Sequence, residues 1–282
     1  NRRYLSRRVV AVQSSNLEQL VRQYETAQTT EAQQELLPAL LKAWAKTDPS
    51  YYEYTEGLWE SMVSSNGQGV GIASGNSGPT ISFDQIDPAI QSAFNGAKSK
   101  IGVIDSFMGT KTEKLFYIRE DDIIKTTQAI NNIYDDITFS IYKGLYGQTA
   151  IYKQYENAIE KEWILKDNGD IGYIQNFKNV EQLFETKFSS DIKNTFIELI
   201  AFTDHITNVY QDVPKKGFDG LQSLIFENYE KFDESTLIEI NDFLSKYPTA
   251  TKYIVGTNDI DILHGASKSE TLLGGKGNDT LV

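Results

Sequence analysis

The 282-residue chain is 40% hydrophobic and 23% charged, which supports one large globular domain or two smaller ones. It has no cysteine, so disulfides and thiolate metal sites are excluded, and its longest apolar runs are broken by charge well short of the ~20 residues of a membrane-spanning helix. The net charge of −12 is uneven: residues 1 to 46 hold seven basic and four acidic residues, a local +3, and the rest carries −15, which argues against nucleic acid as main partner and is compatible with divalent cations.

The chain begins at Asn1 with no apolar leader after it and stops inside a repeat, so it reads as a piece of a longer protein. Four arginines among the first eight residues read as a solvated stub. In SSNLEQLVRQYETAQ, Ser15 and Glu18 have capping-box spacing, and Leu17, Leu20, Val21 and Tyr24 follow at helical intervals. Thr30 and Gln33 suggest a second capping box before an apolar face of Leu36, Leu37, Leu40, Leu41 and Trp44, with a kink or break expected near Leu37 because Pro38 follows. Residues 49 to 84 are rich in Gly, Ser, Asn and aromatics, with a flexible loop expected at about 64–80. Asp87-Pro88 suits a helix start, and Gly109 a helix stop after KIGVIDSFM.

A long helical pattern runs from about Glu120 to Glu162, with Gly144 and Gly147 as weak points or places of close helix approach. Asn168-Gly169 marks a small β-hairpin within 163–174. Three more helices are expected near 178–189, 191–211 and 217–246, the last split around Asp233. His205, beside Asp204 on a mostly apolar helix, reads as a satisfied core histidine, and Tyr142, Tyr146, Tyr152 and Tyr155 as core and boundary residues. No serine elbow, HExxH or phosphate loop is present, so no enzymatic activity is expected.

The last 27 residues divide into three blocks of nine: GTNDIDILH, GASKSETLL and GGKGNDTLV. Gly256, Gly265 and Gly274 stand first, Asp261, Glu270 and Asp279 sixth, and Leu263, Leu272 and Leu281 eighth. The last block fits GGxGxDxUx and resembles the RTX calcium-binding nonapeptide, which builds a parallel β-roll. In such a roll six residues turn, glycine accepting positive φ, and three form a strand whose eighth residue points inward. One coil takes two nonapeptides, so Asp261 and Asp279, eighteen residues apart, face one ion. The metal set is Asp261, Asp279, Asn258, Gly256, Gly274 and Lys276, two carboxylates completed by turn oxygens in a shell that suits Ca²⁺. The middle block departs most, at Ala266, Lys268 and Glu270, and is expected to be a linker-like half-turn. Three blocks stand at the minimum such an array needs, which leaves open a tail with too few coils to hold calcium. Tyr253, Ile254 and Val255 would supply the first strand.

The body carries NLEQLVRQYETAQTTEAQQELLPALLKAWAKTD, KIGVIDSFMG, LYGQTAIYKQYENAIE and GFDGL, which resemble the helical region preceding the repeats in FrpA/FrpC-like RTX proteins. The resemblance implies a large type I-secreted exoprotein, toxin or adhesin, of Gram-negative bacteria that folds outside the cell in millimolar calcium. Some members cleave themselves at Asp-Pro, but no acidic calcium loop follows Asp48-Pro49 or Asp87-Pro88, and cleavage is not expected. The fold expected is therefore mainly α, a multi-helix body over residues 1–250 with a small β-hairpin, followed at 251–282 by the start of a calcium-binding β-roll. The expected function is a non-enzymatic segment that binds calcium and caps or nucleates the roll. The alternative is a secreted effector or a module whose helical body binds a host surface or partner protein.

Overall fold

The computed structural model describes residues 15–53, 87–112, 120–165, 167–247, 252–256, 261–263, 270–274 and 277–282. The expected loop at 64–80, the arginine-rich start and His264 lie outside the described residues. The fold is mainly helical: α1 Ser15–Thr26, α2 Thr30–Ala45, α3 Pro88–Lys98, α4 Ile101–Met108, α5 Glu120–Tyr146, α6 Ala150–Glu156, α7 Lys178–Phe188, α8 Ile192–Val209, α9 Phe218–Tyr229 and α10 Glu234–Lys246. A small mixed sheet has the order β1-β2-β3, from β1 Glu160–Leu165, β2 Ile171–Asn176 and β3 Lys215–Lys216. Beyond the helices, β4 Lys252–Val255 pairs with β6 Glu270–Leu273, and β5 Ile262–Leu263 with β7 Thr280–Leu281.

The helix ends follow local chemistry. Asp87 accepts from the Ala89 N–H at 2.7 Å with Pro88 in the first turn of α3, and α4 stops at Gly109 with φ 68°. Asp233 caps α10 by accepting from the Thr236 N–H at 2.8 Å, which splits α9 from α10. Gly217, with φ 74°, turns the chain into α9. Three expectations are corrected. Helix α2 runs through Pro38 without the break near Leu37, and its cap is Thr29, whose Oγ1 accepts from the Ala32 N–H at 3.2 Å. The Thr30 hydroxyl and Gln33 side-chain amide are buried without a hydrogen-bond partner, so the cap lies one residue before the expected one and, with Ala32 in the third helical place, no reciprocal box forms. The long pattern from Glu120 breaks at Gly147, because Thr149 restarts the chain as the cap of α6, and β1 begins already at Glu160. Gly144 stays inside α5 with nothing near it, while His205 Nε2 lies 3.4 Å from where a Cβ on Gly147 would stand.

The chain divides into two compact units. Residues 1–19 and 38–138 form the first. Its buried residues include Leu40, Leu41, Phe94, Ile101 and Phe107, with Trp44 edge-on to Phe107 at 6.1 Å. Asp105, 3% exposed, accepts from the Tyr52 hydroxyl at 2.6 Å, the Thr110 hydroxyl at 2.7 Å and the Thr112 N–H at 2.6 Å. Burial raises its pKa, but those donors together outweigh burial and hold it below the usual carboxylate value. Beside it, the Tyr52 carbonyl comes within 2.1 Å of where a Cβ on Gly102 would stand, an approach only glycine permits.

Residues 20–37 and 139–282 form the second unit, centred on α8, which is buried from Thr195 to Ile206. Phe202 lies 5.3 to 6.3 Å from Tyr155, Phe184, Tyr152 and Phe177, and Phe196 lies 5.2 Å from Phe232 and 6.5 Å from Tyr229. The expected core tyrosines are buried here, with the Tyr247 hydroxyl hydrogen-bonded to that of Tyr142. His205 is buried between Tyr146 and Tyr152, at 5.0 and 4.8 Å. Its Nδ1 has no hydrogen-bond partner, so it is a core histidine but not a satisfied one.

Opposite outcomes are expected for two helical glycines. Gly102→Ala forces its methyl onto a backbone oxygen and destabilises the chain by about 1–3 kcal/mol, more than alanine's helical preference returns. Gly144→Ala meets nothing and stabilises by up to about 1 kcal/mol; urea denaturation checks both. Burial, with Lys143 adding, lowers the pKa of His205 from 6.5 to about 4, so the folded chain keeps the ring neutral. The unfolded chain takes up that proton below about pH 6.5, so stability falls as pH drops from about 6.5 to 4, by about 3 kcal/mol at most. Subtracting the pH profile of His205→Phe from that of wild type, both from thermal melts, isolates this loss.

Candidate functional site in the terminal strands

The terminal strands form two parallel ladders with one common offset. Lys252 pairs with Glu270 through to Val255 with Leu273, and Ile262 pairs with Thr280 and Leu263 with Leu281. Each partner lies eighteen residues on, so the chain returns beside itself after two nine-residue blocks. The middle block, expected as a half-turn, supplies the four-residue strand β6. The inward-pointing eighth residue is also corrected. The ninth-place Leu273 and its neighbour Val255 are 3% and 4% exposed, whereas the eighth-place Leu263 and Leu272 are half-buried and Leu281 is 51% exposed. The reason is that helices cover the Val255 and Leu273 side of the pair.

Those helices hold the strands by two side chains. Asn241, on α10, donates from Nδ2 to the Val255 carbonyl at 2.5 Å, and its Oδ1 accepts from the Val255 N–H at 3.2 Å. A strand residue's N–H and C=O point to one side, so this amide does for the outer edge of β4 what a neighbouring strand would do. Tyr229, at the end of α9 and 4% exposed, has its hydroxyl 2.7 Å from the Gly256 carbonyl and 3.1 Å from the Leu273 carbonyl. One O–H thus joins the end of β4 to the end of β6. Burial pushes its pKa up, and the Asp261 and Asp279 carboxylates push it further, so the group stays a donor.

Four of the six sequence-predicted metal residues come together here; Asn258 and Lys276 lie outside the described residues. Gly256 donates its N–H to the Leu273 carbonyl at 2.7 Å. A Cβ on Gly256 would stand 2.2 Å from the Gly274 carbonyl oxygen and 2.9 Å from Asp261 Oδ2, and one on Gly274 would stand 2.7 Å from Asp279 Oδ2. Both glycines therefore make room for oxygen atoms. Asp279 Oδ1 accepts from the Asp261 N–H at 3.0 Å, and the Asp261 carbonyl accepts from the Thr280 N–H at 2.8 Å. The donor set is all oxygen, of the kind hard divalent cations take. Among the described residues no group of three or more His, Cys, Asp or Glu is placed to hold a metal, so backbone oxygens would have to complete the shell.

Sequence reasoning missed Tyr229 and Asn241. Tyr229 sits at ordinary core spacing on α9, and a lone Asn in EINDFL carries no motif. A second concavity lies away from the tail, lined by Thr30, Glu31, Lys187, Asp191, Thr195 and Glu198. Lys187 Nζ there contacts Glu198 Oε2 at 2.5 Å and the Tyr155 hydroxyl at 3.0 Å. Burial raises the pKa of Glu31, partly offset by its own backbone N–H and by Lys193.

No family model matches the chain, and no solved structure does. The iron-regulated protein FrpA of Neisseria meningitidis serogroup C is 26% identical over 201 residues, covering 68% of this chain and 17% of that protein. The chain thus spans about a sixth of the length of this curated relative, and the similarity supports an FrpA-like relationship.

Proposed function

We propose that this chain is a non-enzymatic segment of a secreted, FrpA-like RTX exoprotein, in which helices α9 and α10 hold the first strands of a calcium-binding β-roll. The observation that carries this reading is the offset of eighteen residues shared by both ladders, which brings Asp261 and Asp279 together. A globular strand pair has no reason to repeat one offset. A coil of two nonapeptides requires it. The likeness to FrpA supports the same reading. That no described helix is long and apolar enough to cross a membrane agrees with it.

On this reading Asp261 and Asp279 are the carboxylate ligands, and oxygens at Gly256, Asn258, Gly274 and Lys276 complete the shell. Calcium supplies positive charge that lets acidic turns close on one another. Gly256 and Gly274 keep side-chain bulk out of the oxygen cluster. Tyr229 and Asn241 fix the strands from which the turns spring. The excess of acidic residues over the body suits folding in the millimolar calcium outside the cell, where sites with dissociation constants of about 10⁻⁴–10⁻³ M fill.

Calorimetric titration with calcium, followed in parallel by circular dichroism, tests this on the whole chain. Saturable binding with a gain of β signal is expected, at least tenfold weaker in Asp279→Ala. A wild-type chain indifferent to millimolar calcium, or an Asp279→Ala chain that binds as wild type does, contradicts the reading.

A further inference from the structure

Within the second unit, the α1–α2 turn and the α7–α8 turn border one recess of about 200 Å³. That is below the roughly 300–1,000 Å³ of pockets for drug-sized ligands, and it holds about seven groups the size of a water molecule. Thr30 and Thr195 line it, 2% and 1% exposed, and neither hydroxyl has a hydrogen-bond partner. One turn beyond Thr30 on α2, both amide atoms of the buried Gln33 also lack one. Buried polar groups are nearly always paired, and each unpaired one lowers stability. Four such atoms gathered beside one recess weaken the fold, and breaches of this kind are expected at functional sites.

The charges of the recess are also unbalanced. Glu31, Asp191 and Glu198 line it, and Lys187 is the one cation lining it among the described residues. Lys187 Nζ is taken by Glu198 Oε2 at 2.5 Å. Asp191 caps α8, accepting from the Asn194 N–H at 3.1 Å and from Asn194 Nδ2 at 2.7 Å. Lys193 is near, but its Nζ lies 2.5 Å from Glu239 Oε2. The Glu31 carboxylate accepts from its own backbone N–H, while burial, and then the Asp191 and Glu198 charges, raise its pKa. The starts of α2 and α8 each bring roughly half a positive charge, so the recess keeps an excess of about one negative charge. Among the described residues no three carboxylates are placed to hold one metal ion together. What answers a spread negative charge and unpaired hydroxyl oxygens is a monocation with several N–H donors.

We propose that this recess binds a small primary ammonium, with its N–H groups donated to the Glu31 carboxylate and to the Thr30 and Thr195 hydroxyl oxygens. An ammonium has three donors and no acceptor, which matches those three oxygen partners. n-Butylammonium, the side-chain analogue of lysine, suits the volume. The same head group comes from two sources, a free amine or a lysine side chain presented by another protein. The inference depends neither on calcium nor on the terminal strands.

NMR titration of the whole chain in calcium-free buffer at constant ionic strength tests it, read at the Thr30, Glu31 and Thr195 amides, with circular dichroism confirming that each variant is folded. n-Butylammonium is expected to shift these amides saturably. n-Butanol, which lacks the charge, is expected not to, and tetramethylammonium, which lacks N–H donors, to bind at least about tenfold more weakly. Glu31→Gln is expected to weaken n-butylammonium binding at least about tenfold. Thr195→Val removes a hydroxyl that is unmet in the free chain, so its melting temperature is expected to hold or rise while binding weakens severalfold. That opposite movement separates a ligand contact from a structural role. Nα-acetyl-lysine methylamide separates the sources: binding as tight as n-butylammonium assigns the site to a presented lysine, and weaker binding assigns it to a free amine, both within the proposal. Absence of saturable shifts with n-butylammonium overturns it. So does an equal response to n-butanol or tetramethylammonium, or a Glu31→Gln or Thr195→Val chain that binds as wild type does.

Discussion

The edge of a β-strand cannot lie against a protein interior with its backbone groups unpaired. At Val255 that constraint is met by a side chain: the Asn241 amide takes both the N–H and the C=O. Leaving such a pair buried and unmet costs about 1–3 kcal/mol per group, far more than each bond contributes net. The position of β4 against α10 therefore follows from one residue's hydrogen-bonding capacity. Tyr229 extends the constraint to β6, since its single proton serves the carbonyls at both strand ends. Phe196 then ties Tyr229 to the aromatic interior around α8. The tail is thus an outgrowth of the helical core, joined to it by a short chain of named contacts.

That arrangement gives the terminal repeat something its composition lacks. Residues 256–282 contain no Phe, Trp or Tyr and are rich in glycine, so less burial is available to order them than in the helical body. The helices supply a fixed starting edge and bury Val255 and Leu273. Under the proposed reading, calcium supplies the remainder by neutralising carboxylates that the coil brings together. The two contributions act at different places. Tyr229 and Asn241 act on the strands, and the acidic residues on the turns.

Much of this was legible in the residues, for physical reasons that can be named. Helix stops with glycine, starts with Asp-Pro or Asp, and the Asn-Gly hairpin rest on backbone preferences that operate locally, and α3, α4, α10 and the β1–β2 turn follow them. The nine-residue register predicted which aspartates meet, because spacing alone decides it. Where sequence reasoning failed, a longer-range term intervened. Pro38 is carried inside α2 although it cannot donate to the helix ladder. Thr29 displaced Thr30 as cap, a one-residue choice that spacing cannot resolve. The helices cover the ninth-place side of the strands, so Val255 and Leu273 are buried. Tyr229 and Asn241 were invisible because each is ordinary on its own helix and acquires its role only from the strand brought against it.

The most direct test of the helical clasp is hydrogen exchange at the Gly256 amide of the whole chain in calcium-free buffer, comparing wild type with Asn241→Leu. Gly256 donates to Leu273 and not to Asn241, so its exchange reports the strand pair itself and not the bonds removed. Leaving the Val255 N–H and C=O without partners, at about 1–3 kcal/mol each, predicts exchange at least about thirtyfold faster in the variant, with the α8 amides unchanged. Equal rates in the two proteins, or a Gly256 amide already unprotected in wild type, would contradict the account that the helices hold the strands.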